Sequence, residues 1–258
     1  MDSSGRIKQD LVSKYNGEAE ELDNPAWLAA GGTARVPESR AAHYFVERKI
    51  TEALALAGPG ASPEANALEI GCSFGHMTSL LAARFQHLTA VDLSPHSVSV
   101  AQKRLRHYGI TNVSFVIDDA ESLANLPQGA FDVVFSFSTI RFCPHPPAAL
   151  RAIYQKLRPG GIAIVDFPNR HSPWHLGIKR LFGIDPHIHD TLYTKRQAVE
   201  LFTQAGFRVE KVTQFLFTTR RLPTVLLPLF QAVDFTCERL RPLRRLAGII
   251  MVKGVKDG

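Results

Sequence analysis

The sequence predicts an α/β fold: a doubly wound, largely parallel sheet with helices on both faces. Three observations carry this. Apolar runs such as Ala67–Ile70, Phe131–Ser136 and Ile162–Asp166 are continuous rather than alternating, as in strands covered on both faces. Stretches of helical spacing separate them. The first run enters a tight turn, Gly71-Cys72-Ser73-Phe74-Gly75, and a helix start follows at once, an arrangement that holds a ligand against a helix N-terminus.

The 258 residues are 45% hydrophobic and 21% charged, enough for one large domain or a core with appendages. The net charge of +6 admits an anionic partner, but the basic residues are dispersed, and nucleic-acid binding needs a clustered basic face. The three cysteines, Cys72, Cys143 and Cys237, are far apart and odd in number, which argues against a disulfide framework and for a reducing cytoplasm. Met1 to Arg6 lacks the apolar core of a signal peptide, and the longest uncharged run, Leu222 to Val233, falls short of the ~20 residues of a spanning helix.

Taken in order, residues 1–60 read as an N-terminal helical lid: a short helix around Ile7–Tyr15, irregular chain, then a helix from Ala41 to Ala57 stopped by Gly58-Pro59-Gly60. Residues 61–258 form the main domain. Thr78 to Phe85 continues a helix with Met77, Leu80, Leu81 and Phe85 turned inward, and Leu88–Asp92 is the next strand, ending on an acid. Ser94-Pro95 supplies an N-cap and a proline at the first helical position. Val113–Ile117 is a third strand and Phe131–Ser136 a fourth. A helix from Ala148 to Leu157 closes on Arg158-Pro159-Gly160-Gly161, and Ile162–Asp166 is the fifth strand. Thr194–Gln197 opens a helix with a capping box; Phe207 to Phe217 and Gly248 to Lys253 are the last two strands. Residues 167–193 and 218–247 are insertions that form a cap.

Three chemistries use a strand, glycine turn and helix start. A dinucleotide site wants a third glycine, where this chain has His76-Met77. The turn also fits the G-x-S-x-G nucleophile elbow, which would make Ser73 the nucleophile of a serine hydrolase. That reading places the elbow on the first strand, and no histidine follows His189.

The third chemistry fits every later element. Leu68-Glu69-Ile70-Gly71-Cys72-Ser73-Phe74-Gly75 resembles the E-x-G-x-G-x-G motif of class I S-adenosylmethionine-dependent methyltransferases, with Ser73 for the middle glycine. Val91-Asp92-Leu93-Ser94 resembles their second motif, and Ile117-Asp118-Asp119-Ala120-Glu121-Ser122-Leu123 their G-D-A-x-x-L, with Asp118 for glycine. Phe131–Ser136 and Leu157–Gly161 resemble the fourth motif and the turn after the following helix. The resemblance covers residues 65–215 and leans to the small-molecule branch that includes quinone-biosynthesis enzymes. It implies a Rossmann-like, seven-stranded sheet with an antiparallel last strand, S-adenosyl-L-methionine as cofactor, and methyl transfer to a small organic acceptor.

The resemblance assigns cofactor contacts to Glu69, Gly71, Cys72, Ser73, Gly75, Asp92, Leu93, Asp119, Ala120 and Ser136. Gly71 and Gly75 let backbone approach the methionine portion. Asp92, acceptor-only at a strand end, suits the two ribose hydroxyls. Asp119 with the Ala120 backbone accepts from the adenine amino group, and Leu93 lies on the adenine face. Glu69 and the Ser136 carbonyl face the cofactor's ammonium. Each has a plainer reading: a strand-end Asp is often a helix cap or solvated, the glycines serve a turn, and Cys72 is a small buried residue.

A carbon or oxygen acceptor needs a base, for which His187 and His189 are candidates, against the plainer reading of surface-loop histidines. Tyr193 and Phe142 are candidate acceptor-pocket residues. His171, His175, His187, His189 and Asp190 also raise a metal site, but Pro173 breaks the helical spacing and no Cys is near, so no metal is assigned.

In the second insertion Leu226, Phe230, Val233, Cys237 and Leu240 fall on one helical stripe, with Arg239, Arg241, Arg244 and Arg245 at its end and Pro228 kinking it or setting its start. A helix packed on the core is the plain reading. The sharper one is an apolar cap over a lipid-like or prenylated acceptor, or transient membrane-surface contact through 222–245. Ser136-Phe137-Ser138-Thr139 stands where base-modifying relatives carry an Asn/Asp-Pro-Pro-aromatic turn, which speaks against nucleic acid. A protein that binds the cofactor without catalysis is the standing alternative. Acceptor identity and oligomeric state are left open by the sequence.

Overall fold

The computed structural model describes residues 3–22, 40–178, 189–220 and 222–258. Its centre is a seven-stranded sheet, β1 (Ala67–Ile70), β2 (Leu88–Asp92), β3 (Val113–Ile117), β4 (Phe131–Ser136), β5 (Leu157–Pro168), β6 (Arg208–Phe215) and β7 (Ile249–Val255), in the order β3-β2-β1-β4-β5-β7-β6. The pairs among β1 to β5 are parallel, and β7 runs antiparallel to both β5 and β6. The chain therefore steps outward from β1 to β3 and then restarts on β1's other side with β4. That reversal opens a crevice at the carboxyl ends of β1 and β4, where doubly wound sheets bind ligands.

Around the sheet lie α1 (Ser3–Leu22), α2 (Arg40–Ala57), α3 (His76–Ala82), α4 (Pro95–His107), α5 (Pro146–Lys156), α6 (Lys195–Gln204), α7 (Leu227–Cys237) and the short α8 (Arg241–Arg244). Strand side chains divide between two cores by their period of two. Val134, Ala163, Val165, Ile250 and Val252 face α5 and α6, meeting Leu150, Ile153, Ala198 and Phe202. Val133, Phe135, Ile162, Ile164 and Met251 face the other way, against Ile50, Ala53 and Leu56 of α2 and Leu81 of α3. Each fully buried Val, Leu, Ile, Phe or Met side chain among them contributes roughly 1.5–3 kcal/mol.

Local chemistry sets the helix starts. The Ser94 hydroxyl accepts from Ser97 N–H (3.0 Å) with Pro95 at the first position, and Thr194 with Gln197 closes the capping box expected of α6. Pro228 sits in the first turn of α7, setting its start rather than kinking it. Two elements differ from expectation. The first helix runs over twenty residues rather than Ile7–Tyr15, because it packs on α4 and across the crevice. β5 begins inside the supposed turn at Leu157, since Gly160 N–H donates to Lys256 O (2.7 Å) and Lys256 N–H returns to Gly161 O (2.9 Å). Leu80, expected inside, is exposed because Thr78, Leu81 and Ala82 form the buried face of α3 and Leu80 falls away from Thr78 and Ala82.

Candidate functional site

The turn after β1 is tied to β2. Gly71 and Cys72 donate their N–H groups to Val91 O (2.7 and 2.9 Å), and Ser73 N–H donates to Asp92 Oδ2 (2.8 Å). Asp92 Oδ1 accepts from Ser94 N–H (2.9 Å). Burial pushes the Asp92 carboxyl up, while the Ser94 and Ser73 N–H groups pull it back. Each oxygen keeps a lone pair for a further donor.

The two glycines do different work. A Cβ on Gly71 would fall 1.9 Å from Thr139 Oγ1, and its φ is +79°. Thr139 Oγ1 lies 3.1 Å from the carbonyl oxygens of both Ile70 and Phe137, so it fastens the end of β1 to the loop after β4. A Cβ on Gly75 would meet Ala101 and Leu105 of α4 at 3.0 and 3.1 Å. Gly75 thus serves helix packing, as a third fingerprint glycine does. Ser73 holds a φ of +47°, the left-handed region that explains why the resembled motif has glycine there.

A cavity of about 840 Å³ opens over the crevice. Gly71, Cys72, Ser73, Asp92, Leu93, Asp119, Ala120 and Phe142 all line it, as the sequence leads one to expect. Glu69, Gly75, Ser136 and Tyr193 are not in its wall. Glu69 is buried within β1, where burial raises its pKa to about 7 against the pull of the Thr78 hydroxyl. Ser136 is buried in β4 between β1 and β5. Tyr193 packs edge-on against Phe167, ring centroids 5.0 Å apart, inside the core.

Of the two histidines, His187 lies outside the described residues. His189 Nε2 meets Asp10 Oδ2 of α1 at 3.1 Å and does not line the cavity. Among the described residues no cluster of His, Cys, Asp and Glu side chains could hold a metal ion. Asp118, standing where the resembled motif has glycine, turns its carboxylate on its own loop, accepting from Asp119 N–H (2.8 Å) and Asn125 N–H (2.7 Å).

α1 crosses the end of the cavity that holds Asp92 and Asp119. Lys8 Nζ reaches Asp119 Oδ2 (2.6 Å) and Glu121 Oε2 (2.5 Å), the Ser94 hydroxyl donates to Asn16 Oδ1 (2.7 Å), and Tyr15 stands edge-on to Phe142. The opposite end of the cavity holds a group that sequence reasoning missed. Lys49 of α2, 1% exposed, pairs with Asp166 of β5, 3% exposed. Lys49 also donates to Ser138 Oγ (2.9 Å), and Asp166 Oδ1 accepts Ser138 N–H (2.6 Å). The rings of Phe45 and Phe137 flank the ammonium at 5.5 Å each. Burial pushes the Lys49 pKa down and Asp166 pulls it up. Arg141 pairs with Asp190 in the same wall. Both signals were present in the sequence: a lysine four residues after Phe45 on an apolar helix face, and an acid ending a buried strand.

The doubly wound sheet with a reversed β7, the glycine turn and the strand-end acids define an S-adenosylmethionine-dependent methyltransferase fold. A family described as a methyltransferase domain matches residues 68–165. The malonyl-[acyl-carrier protein] O-methyltransferase of Paenibacillus sp. is 29% identical over 57% of this chain and 57% of its own length. The ubiquinone biosynthesis O-methyltransferase of Xanthomonas euvesicatoria pv. vesicatoria is 28% identical over 59% of this chain and 66% of its own. The chain thus spans about half to two thirds of the curated relatives it matches. The N-methyltransferase NodS of Bradyrhizobium japonicum, solved with S-adenosyl-L-homocysteine, superposes with a TM-score of 0.59 over 95% of this chain and 99% of that one at 16% identity.

Proposed function

We propose that this protein transfers a methyl group from S-adenosylmethionine to a small organic acceptor. The carrying observation is one continuous cavity that joins the Ser73–Asp92 turn to the Lys49–Asp166–Ser138 group. Its residues fit the cofactor chemically. Asp92 is acceptor-only and suits vicinal hydroxyls, Asp119 suits an amino donor, and Leu93 supplies an apolar face. Glu69, Gly75 and Ser136 would act from behind the turn rather than by contact.

Bound there, the cofactor supplies an already activated sulfonium methyl, so the protein's task is alignment. Phe45, Phe137, Phe142 and Phe167 offer the acceptor an apolar body site, and Lys49 with Ser138 offers its polar end two donors. Asp166 is the carboxylate placed to take a proton from an O–H or N–H acceptor. His189, held on Asp10, is not assigned that role. α1 covers the opening through Lys8 and Asn16 and keeps water from the site, the role of a lid.

The aromatic lining and the apolar insertion support a lipid-like or prenylated acceptor, which the insertion 222–245 would meet at a membrane surface. The quinone-branch resemblance and the relative named for ubiquinone biosynthesis support the same reading, whereas the malonyl-[acyl-carrier protein] relative supports O-methylation alone. Calorimetry with S-adenosylhomocysteine, followed by a labelled-methyl screen of cell extract, tests the reading. Saturable binding and a labelled small molecule are the expected results. Binding with no labelled acceptor would favour a protein that binds the cofactor without catalysis.

A further inference from the structure

Residues 222–247 form a segment whose charge and apolarity are distributed with an unusual asymmetry. The only carboxylates within it are Asp234 and Glu238, and both face inward. Asp234, 1% exposed, accepts from Phe217 N–H (2.5 Å) and from the Thr218 hydroxyl (2.5 Å); Phe217 and Thr218 line the cavity. Glu238 accepts from Leu216 N–H (2.9 Å) and pairs with Arg48 (2.6 Å). These contacts, with Leu227 packed on Ala41 and Leu222, fasten one side of α7 to the rim of the acceptor end.

The other side has no such fastening. At helical spacing Leu229 falls on the far side from Leu227 and Asp234, and Phe235, with Arg239 just past the helix end, falls on its flank. Leu229 is 60% and Phe235 63% exposed, Val225 before the helix is 83% exposed, and Leu240, Leu243 and Leu246 after it are exposed too. Arg241, Arg244 and Arg245 are exposed among them, and the Arg239 guanidinium lies over the Phe235 ring at 3.5 Å. A helix apolar all round is ordinarily buried. Here half of it meets solvent beside four cations and no outward carboxylate. Monomers rarely leave such a patch without a partner.

We infer that this outer face docks on an anionic lipid surface, its leucines and Phe235 entering the interface and its arginines meeting the headgroups. The charge decides the occupant: four cations without outward acids complement anionic lipid, whereas two copies of this face would repel one another. The insertion would then deliver the cavity's acceptor end to the membrane. That purpose rests on the lipid-like acceptor proposed above; the docking itself does not.

The test is sedimentation of the full chain with vesicles of phosphatidylcholine alone and of phosphatidylcholine mixed with phosphatidylglycerol. Binding to the anionic vesicles only, weakened by added salt, is expected. Leu229→Asp with Phe235→Asp should abolish it, and Arg241→Gln with Arg244→Gln and Arg245→Gln should weaken it about a hundredfold. Calorimetry of the same variants with S-adenosylhomocysteine reads the fold and the cofactor site separately. Unchanged S-adenosylhomocysteine affinity with vesicle binding lost is the expected pair of results. No binding to anionic vesicles, equal binding to both vesicle types, or a dimer that the aspartate pair dissociates would overturn the inference. Docking without any methyl transfer would leave it standing and count against the proposed function instead.

Discussion

Lys49 of α2 and Asp166 of β5 form an ion pair almost wholly removed from solvent at the end of the cavity, with Ser138 bonded to both. Such a pair is costly to bury and often contributes little net stability over apolar residues of the same size. Its placement in the cavity wall gives it a use beyond holding α2 on the sheet.

Removing one partner separates the two roles. Lys49→Met leaves Asp166 buried without its cation and should cost roughly 3–5 kcal/mol. The double change Lys49→Met with Asp166→Leu should recover most of that loss in denaturant unfolding, and S-adenosylhomocysteine should bind it normally. Methyl transfer should be lost all the same. Full activity in the double variant would reduce the pair to a structural contact.

Glu69 makes stability depend on pH in an unusual direction. Its folded pKa of about 7 lies above the ordinary 4.5, so the folded protein binds the proton more tightly than the unfolded one. The contribution is fully present below about 4.5 and is lost as pH rises through about 7, an effect of about 3 kcal/mol by linkage. Asp92, also raised by burial, adds to the same slope. Glu69→Gln should flatten most of it, measured by urea unfolding at several pH values; an unchanged slope would remove Glu69 as the cause.

The turn makes two opposite predictions. Ser73→Gly relieves a left-handed φ of +47° and should raise stability by roughly 0.5–1 kcal/mol without weakening S-adenosylhomocysteine. Gly71→Ala sets a Cβ against Thr139 and should abolish binding, with Thr139→Ala as a second change restoring only part of it because the φ of +79° remains.

Asp119 carries two claims on one oxygen, Lys8 now and the adenine amino group in the proposal. Asp119→Ala should weaken S-adenosylhomocysteine about tenfold, the worth of one charged hydrogen bond. Lys8→Ala removes two partly exposed ion pairs, to Asp119 and Glu121, each worth no more than about 1 kcal/mol of stability, but it should leave α1 easier to cleave in limited proteolysis. Equal losses of affinity in both variants would show Lys8 to be part of the cofactor site.

Most of the fold was legible because its signals are local. Continuous apolar strands, the Ser94-Pro95 cap and the Thr194–Gln197 box each state their structure within a few residues. That the turn at Gly71 and the acids at Asp92 and Asp119 come together was legible for the same reason, and they share one cavity wall. What escaped depends on packing between distant segments. Gly75 reads as a ligand glycine until α4 is laid beside it, and Tyr193 reads as a pocket residue until Phe167 covers it. Lys49 and Asp166 lie 117 positions apart, and only the folded sheet brings them together.

The measurement closest to the central claim is a calorimetric titration of the full chain with S-adenosylhomocysteine, wild type beside Asp92→Ala. Saturable one-to-one binding in the wild type, lost in the variant while its thermal unfolding stays cooperative, is the predicted result. Absence of binding in the wild type, or equal affinity in the two proteins, would contradict the assignment of this cavity to the cofactor.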